Sequence, residues 1–218
     1  MKTELIKLSP SKIGAFLECP TCFWRDYHGL LPPTFPLPGV LNRMDRLEKE
    51  YYDHYRNSIP PSLKGLIKEN LVDAKTAEIL RKGIRYFDAE LSAELRGKMD
   101  DCLIDSKGNL VPLDNKTANP ENEELVNIYQ LQLDSYTFLL QQNGYKTAEH
   151  GYLIYYTPEA GNPHKGIIFR TDVKRLQMHP KRIFKVFRDA VKLLRKPSPP
   201  KFHKDCKMCE WLRQIGEM

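Results

Sequence analysis

Cys19-Pro20-Thr21-Cys22 and Cys206-Lys207-Met208-Cys209 stand at opposite ends of a 218-residue chain. Each Cys-x-x-Cys pair can grip one ion from a tight turn, and four thiolates complete a closed metal site. The separation excludes a local zinc ribbon and requires the two ends of the chain to meet in space. Such a clip closes nearly the whole chain, so metal loss should loosen the fold. A disulfide framework is the poorer reading, because Met1 to Lys7 lacks the apolar core of a signal peptide and the cysteines number five. Cys102 is left over and reads as a small core residue on a strand.

Composition narrows the class. Apolar residues make up 41% and charged residues 28%, which excludes a disordered or collagen-like chain. The formal charge of +6 permits a nucleic-acid partner without requiring one. No stretch is long and apolar enough for a membrane span, so a cytoplasmic protein with no membrane partner is expected. The length suits a single domain over 1–218, with 59–83 as a helical insertion and 197–218 as a cysteine-containing tail.

Ser9-Pro10 opens a helix, as an N-cap followed by a first-turn proline. Cys19-Pro20 ends or sharply turns it. Prolines 32, 33, 36 and 38 mark 30–39 as an extended connector. Helical spacing over Val40–Arg56 predicts a helix, Leu63–Lys82 one or two short helices, and Ile84–Lys116 a strand-rich region. A long helix follows over Glu121–Gly144, then β-like stretches at Gly151–Thr157 and Gly166–Phe169, then an amphipathic helix over Pro180–Arg195. The order is α/β, with a strand hairpin between helices.

The hairpin carries the chemistry. Asp105-Ser106-Lys107-Gly108 reads as a type I turn with a left-handed Gly108, which pairs Asp105 with Asn109. That register carries Asp100 opposite Asp114, and alternation puts Lys116 on the face of Asp114. A two-residue loop at Lys107-Gly108 would set Asp101 opposite Asp114 instead, but lysine is a poor left-handed residue. Two carboxylates facing across a ladder repel unless a cation lies between them. Hard oxygen ligands suit Mg²⁺ or Mn²⁺. Lys116 alongside could orient a water or offset charge on a phosphoryl oxygen. A solvated hairpin edge is the plain alternative.

Gly97-x-x-Asp100 followed by Asp114-x-Lys116-Thr117 resembles the core motif of the PD-(D/E)xK nucleases, most closely the RecB-like branch with its AddB-type and CRISPR-adaptation exonucleases. That branch also carries Gln-x-x-x-Tyr on the next helix, matched here by Gln132 and Tyr136. Independently, Leu125, Ile128, Gln132, Tyr136 and Leu139 share one helical face. The resemblance covers Ser9 to Cys209. It implies a restriction-endonuclease-like core, a mixed central β-sheet flanked by helices, with Asp100, Asp114, Lys116, Gln132 and Tyr136 as catalytic residues. Gln132 and Tyr136 would position nucleic acid. The branch usually has a metal-binding His on an early helix. Here Gly39-Val40-Leu41-Asn42 leads to Arg43, so Asp45, ahead of Glu48 or the more distant His54, is the expected substitute ligand. Glu90 and Glu94 read as exposed strand residues before they read as ligands. The resemblance also implies a [4Fe–4S] cluster on Cys19, Cys22, Cys206 and Cys209. The two-plus-two distribution departs from the branch's one-plus-three pattern and keeps Zn²⁺ as an alternative.

Lys181, Lys185, Arg188, Lys192 and Arg195 recur on one helix face, a candidate phosphate track beside such a site. Among Phe23, Trp24 and Tyr27, two are expected in the core and one could stack on an unpaired base. Gly144-Tyr145-Lys146-Thr147 lacks the first half of a phosphate-binding loop, so no ATP site is expected. The reading is a Mg²⁺- or Mn²⁺-dependent deoxyribonuclease acting on single-stranded or end-containing DNA. Its rivals are a catalytically impaired DNA-binding protein of the same fold and a protein–protein adaptor with a structural metal.

Overall fold

A computed structural model describes residues 4–32, 39–117, 123–162 and 164–216, without the side chains of 123–126. The middle of the proline-rich connector, 33–38, and the start of the long helix before Glu123 lie outside the described residues.

The chain runs β1 (Ile6–Leu8), α1 (Pro10–Glu18), α2 (Pro20–Tyr27), α3 (Gly39–Asp53), a 3-10 turn at Pro61–Leu63, β2 (Asn70–Leu71), α4 (Ala74–Lys82), β3 (Ile84–Asp88), β4 (Ala93–Gly97), β5 (Asp101–Ile104), β6 (Leu110–Lys116), α5 (Glu123–Gln142), β7 (His150–Asn162), β8 (Gly166–Gln177), α6 (Lys181–Leu194) and α7 (Lys207–Gly216). The strands form two sheets, β1-β4-β3 and β2-β5-β6-β7-β8. Each is mixed: β1 runs parallel to β4 and β6 parallel to β7, and the other pairs are antiparallel. Two parallel neighbours need a crossover, and α5 supplies it between β6 and β7 while packing on β3, β4, α1 and α6.

Local chemistry explains the boundaries. Ser9 Oγ accepts from Lys12 N–H at 3.3 Å and Pro10 opens α1. Asp73 caps α4 through Thr76 N–H at 3.0 Å. Gly108 takes φ +79°, and Asp105 N–H donates to Asn109 at 3.0 Å. The ladder therefore pairs Asp101 with Leu113 and Ile104 with Leu110, the register of the three-residue loop. Where the spacing predicts only helix over Leu63–Lys82, the chain forms the 3-10 turn, the short strand β2 and then α4. Leu71 and Val72 are buried there beside β5. The final hairpin is longer than its apolar stretches predict, because β7 and β8 stay paired out to Asn162 and Gly166 while exposed; backbone pairing there needs no core face.

Two apolar clusters flank the larger sheet. One joins α1, α2, α5 and α6, with Phe23, Trp24, Leu139 and Phe187. The other joins α3 to β5, β6 and β7, with Tyr52, Leu103, Leu113 and Ile154. Gly97 sets the approach of α5 to β4: a Cβ there would stand 2.7 Å from Leu139 Cδ1 and 3.3 Å from the Tyr136 ring. Cys102 is fully buried on β5, and Phe23 and Trp24 are buried on α2, whereas Tyr27 is exposed. No helix among the described residues is long and apolar enough to cross a membrane.

Candidate active site

The site gathers at the ends of β5 and β6, between α3 and α5. Asp100 lies in the bend that leads into β5, and Asp114 and Lys116 alternate onto one face of β6. Asp114 is 1% exposed. Lys116 Nζ lies 2.5 Å from Asp114 Oδ2 and 4.3 Å from the Tyr129 ring centroid. Gln132, inside the apolar face of α5, serves three groups. Its Nε2 donates to Asp114 Oδ1 at 3.0 Å and to Tyr136 Oη at 2.7 Å, and its Oε1 accepts from Lys116 Nζ at 3.1 Å. A side-chain amide buried in an apolar stripe is costly without partners; these contacts supply them. Asp114, Lys116, Gln132 and Tyr136 are thus drawn into one network.

Helix α3 adds two residues. Glu48 is 9% exposed, with Oε1 buried and lacking a hydrogen-bond partner among the described residues. Burial first, then the charges of Asp100 and Asp45, pushes its carboxyl up to about 7. Lys49 Nζ bridges Asp100 Oδ1 at 3.0 Å and Asp45 Oδ1 at 2.6 Å. Asp45, the expected early ligand, has a half-exposed side chain and is turned to Lys49, while Glu48 is the α3 carboxylate buried beside Asp100 and Asp114. His54 is exposed and bonded to the Glu50 carbonyl. Tyr52 fixes α3 against the sheet, with Oη 3.2 Å from Asn115 Oδ1 and 2.8 Å from Tyr156 Oη.

Burial also pushes the Asp114 carboxyl up to about 6, in spite of Lys116. Asp114 and Glu48 are therefore carboxylates held dry at an electrostatic cost: Asp114 Oδ2 is met by the Lys116 ammonium, and Glu48 Oε1 lacks a hydrogen-bond partner among the described residues. That donor set suits a hard divalent cation. The oxygens are not clustered as tightly as the cysteine sulfurs, and the ammonium groups of Lys49 and Lys116 supply the local positive charge.

Asp101, next to Asp100, belongs to a different constellation. It is 1% exposed. Arg56 grips it with both guanidinium branches, at 2.7 and 2.6 Å, and Arg81 Nη2 lies 2.9 Å away. Strand alternation turns the two aspartates to opposite faces, so the hairpin register decides which one joins Asp114.

Where α2 meets α7, the four cysteines come together. Cys19 caps the N-terminus of α2, with Cys22 in its first turn; Cys206 directly precedes α7, with Cys209 in its first turn. Sulfur separations are 3.4 Å for Cys19–Cys209 and 3.6 Å for Cys22–Cys206 and Cys22–Cys209, and all four lie within 4.8 Å of one another. Helix N-termini favour thiolates. Cys206 is lowered from the usual thiol range by hydrogen bonds that outweigh its burial, whereas burial raises Cys19 and Cys22. The tail is tied down by Thr21 Oγ1, which donates to the Lys201 carbonyl at 2.6 Å, and by Trp24 Nε1, which donates to that of Lys196 at 3.1 Å.

The model of the PD-(D/E)XK nuclease superfamily matches residues 44–214. The chain belongs to that superfamily. Asp100, Asp114, Lys116, Gln132, Cys206 and Cys209 lie within the matched residues, whereas Cys19 and Cys22 precede them. No curated protein matches the sequence. Among solved structures, one titled "Crystal structure of SSO0001" is similar over 99% of this chain and 87% of that one, at 16% identity and a TM-score of 0.48.

Membership sets the remaining residues in context. On α6, Lys185 pairs with Asp189, Arg188 with Glu90, and Arg195 donates to the Leu91 carbonyl. Three of the five cations of the expected phosphate track are thus engaged within the molecule. Glu94 lies on β4 and pairs with Arg85 across 3.7 Å. Lys49, and the basic residues Lys7 and Lys98 at the edge of the site, give no signal in the sequence, since a single lysine outside a motif looks like any solvated charge.

Proposed function

We propose that the protein is a Mg²⁺- or Mn²⁺-dependent deoxyribonuclease of the RecB-like branch, an exonuclease hydrolysing phosphodiester bonds in single-stranded or end-containing DNA, in cytoplasmic repair, recombination or defence. The observation that carries this reading is the Asp114–Lys116–Gln132 network with Asp100 and Glu48 alongside. Asp114, Asp100 and Glu48 would hold the cation, and Asp45 is the weaker candidate for the α3 ligand. A bound divalent cation supplies polarisation of a phosphoryl oxygen and activation of water. Lys116 orients the attacking water and offsets charge that develops on the phosphoryl group. Gln132 fixes the Asp114 carboxylate and the Lys116 ammonium at once, and Tyr136 fixes Gln132.

The test is degradation of end-labelled single-stranded DNA with Mn²⁺ by wild type and by Lys116→Ala. Loss of cleavage in the variant supports the assignment, and equal cleavage by both removes it. The Lys49–Asp100 ion pair favours a second reading, DNA binding without turnover; metal-independent binding with no cleavage by the wild type would select it.

The cysteine site has two candidate occupants, a [4Fe–4S] cluster and Zn²⁺. Sulfurs at 3.4 to 3.6 Å are close to the edge of roughly 3.8 Å that a tetrahedron of zinc–sulfur bonds of about 2.3 Å requires. A four-iron cubane would have to spread them. The spacing therefore favours a single tetrahedral ion in a structural role. Iron and zinc analysis of anaerobically purified protein, with absorbance near ~400 nm as the mark of an iron–sulfur cluster, decides between them.

A further inference from the structure

Gln132 and Tyr136 have a second exposure to solvent besides the carboxylates. They form the inner wall of a cleft of about 580 Å³ that opens between β1, β4 and the start of α1. Strand alternation explains its charge. Ala93, Leu95 and Gly97 of β4 point into the core, so Glu94 and Arg96 face outward, and Lys98 continues that row just beyond the strand. On β1, Lys7 is paired with Glu94 in parallel register, so it joins the same polar face. Lys12 from α1 lies at the rim, paired with Asp26. Four cations and one carboxylate line the cleft, and with Lys12 offset by Asp26 the balance stays positive.

The cations are not equivalent. Lys12 is neutralised by Asp26, and Arg96 donates to the Lys82 carbonyl at 2.8 Å. The ammonium groups of Lys7 and Lys98, both exposed, make no ion pair or hydrogen bond to any described residue. Ser9 and Ser11 add hydroxyls to the lining. Two uncommitted ammonium groups beside a hydrogen-bonded pair of serine hydroxyls around a small cavity, with an aromatic ring in its wall, suit a phosphodiester with a sugar or base against the ring.

We propose that this cleft holds the backbone of a single nucleic-acid strand next to the scissile phosphate, with Lys7 and Lys98 as its phosphate contacts and Gln132 as the shared wall between strand track and reaction centre. The inference rests on the nuclease reading and adds where the strand lies and why one strand is favoured: the cavity is walled by sheet, helix start and α5, and has volume for a few chain units, not for a duplex.

The test is fluorescence anisotropy of a short labelled single strand, without added divalent cation, across roughly 50 to 200 mM salt. It compares wild type, Lys7→Ala/Lys98→Ala, the rescue pair Lys7→Arg/Lys98→Arg, and a charge-matched control, Lys68→Ala/Lys107→Ala. Two lost phosphate contacts should weaken single-strand binding about tenfold and reduce the slope of log affinity against log salt by about 1.4, at ~0.7 per contact. The arginine pair should restore both and the control should change neither. A flush-ended duplex of equal length should lose less; an equal loss overturns the single-strand assignment. Unchanged affinity and slope in the alanine pair overturn the cleft while Mn²⁺-dependent cleavage by the wild type keeps the nuclease reading. A wild type that neither binds nor cleaves overturns both.

Discussion

The Gln132 amide donates to the Asp114 carboxylate across 3.0 Å from a helix that otherwise buries apolar side chains on that face. Because the same amide accepts from Lys116 at 3.1 Å, it fixes an anion and a cation in one geometry. Outer residues that orient metal ligands typically contribute tenfold to a hundredfold in metal affinity or activity. Gln132→Ala should therefore lose about that factor in cleavage. Gln132→Leu should lose as much while melting within a few degrees of wild type, since it keeps the volume. A calorimetric melt beside a cleavage time course checks both, and wild-type activity in Gln132→Leu removes the positioning role.

Glu48 and Asp114 make a pH-dependent prediction. Burial holds both carboxyls above their ordinary range, at about 7 and about 6. A carboxyl whose pKa is raised on folding binds its proton more tightly in the folded state, so its contribution to stability declines as pH rises from the unfolded value to the folded one. Without divalent cation, Glu48→Gln should be level with wild type near pH 4.5 and more stable at pH 8. One pKa unit corresponds to ~1.4 kcal/mol; with screening by nearby water, a gain of about 1 to 2 kcal/mol is expected, or roughly 2 to 8 °C in Tm. Cleavage should be lost in the same variant. Thermal melts across pH 4.5–8 check the crossover, and a variant less stable at pH 8 contradicts it.

Much of the site is legible in the sequence because strand alternation and turn chemistry are local. Gly108 fixes the loop, the loop fixes the register, and the register carries Asp100 and Asp114 together. The helical period puts Gln132 over Tyr136. Glu48 is less legible. Spacing leaves Asp45 and Glu48 both open on α3, and only the docking of that helix through Tyr52 onto Asn115 and Tyr156 determines which one is buried. The cleft is not legible at all, because it joins β1 to β4 across a sheet whose pairing is long-range. The α6 face shows the converse. Its period is plain in the sequence, but the acids that occupy it, Asp88 and Glu90, come from the end of β3 and the turn after it.

The four cysteines tie α2 to α7 across nearly the whole chain. If the cluster holds an ion, as proposed, its removal by a thiol-competing chelator should release the tail before it disturbs the sheet, since α7 packs mainly on α2 beside those cysteines. Limited proteolysis of chelated protein should cut first between Pro197 and Lys207, and hydrogen exchange should accelerate in α7 and α2 ahead of β5 and β6. The same result is expected from Cys206→Ser without chelator. Uniform loss of protection across the chain would mean that the cluster supports the entire domain.

Asp100 and Asp101 are adjacent, identical in chemistry and opposite in consequence. Asp101 is buried among Arg56 and Arg81, and Asp53 completes the group through both arginines. Breaking a buried ion pair by removing one partner typically costs about 3 to 5 kcal/mol, because it strands the opposite charge. Asp53 still offsets part of that charge, so Asp101→Asn should cost about 2 to 3 kcal/mol. The Asp100 carboxylate is partly exposed and ion-pairs with Lys49, while Arg81 holds its backbone carbonyl, a contact that the substitution leaves in place, so Asp100→Asn should cost under ~1 kcal/mol. Activity should invert the order. Asp100→Asn should lose Mn²⁺-dependent cleavage while remaining folded, whereas Asp101→Asn, assayed well below its lowered Tm, should still cleave. Urea denaturation and cleavage measured on the two variants side by side check this pair. If Asp101→Asn proved stable and inactive while Asp100→Asn stayed active, the alternative hairpin register would be the true one.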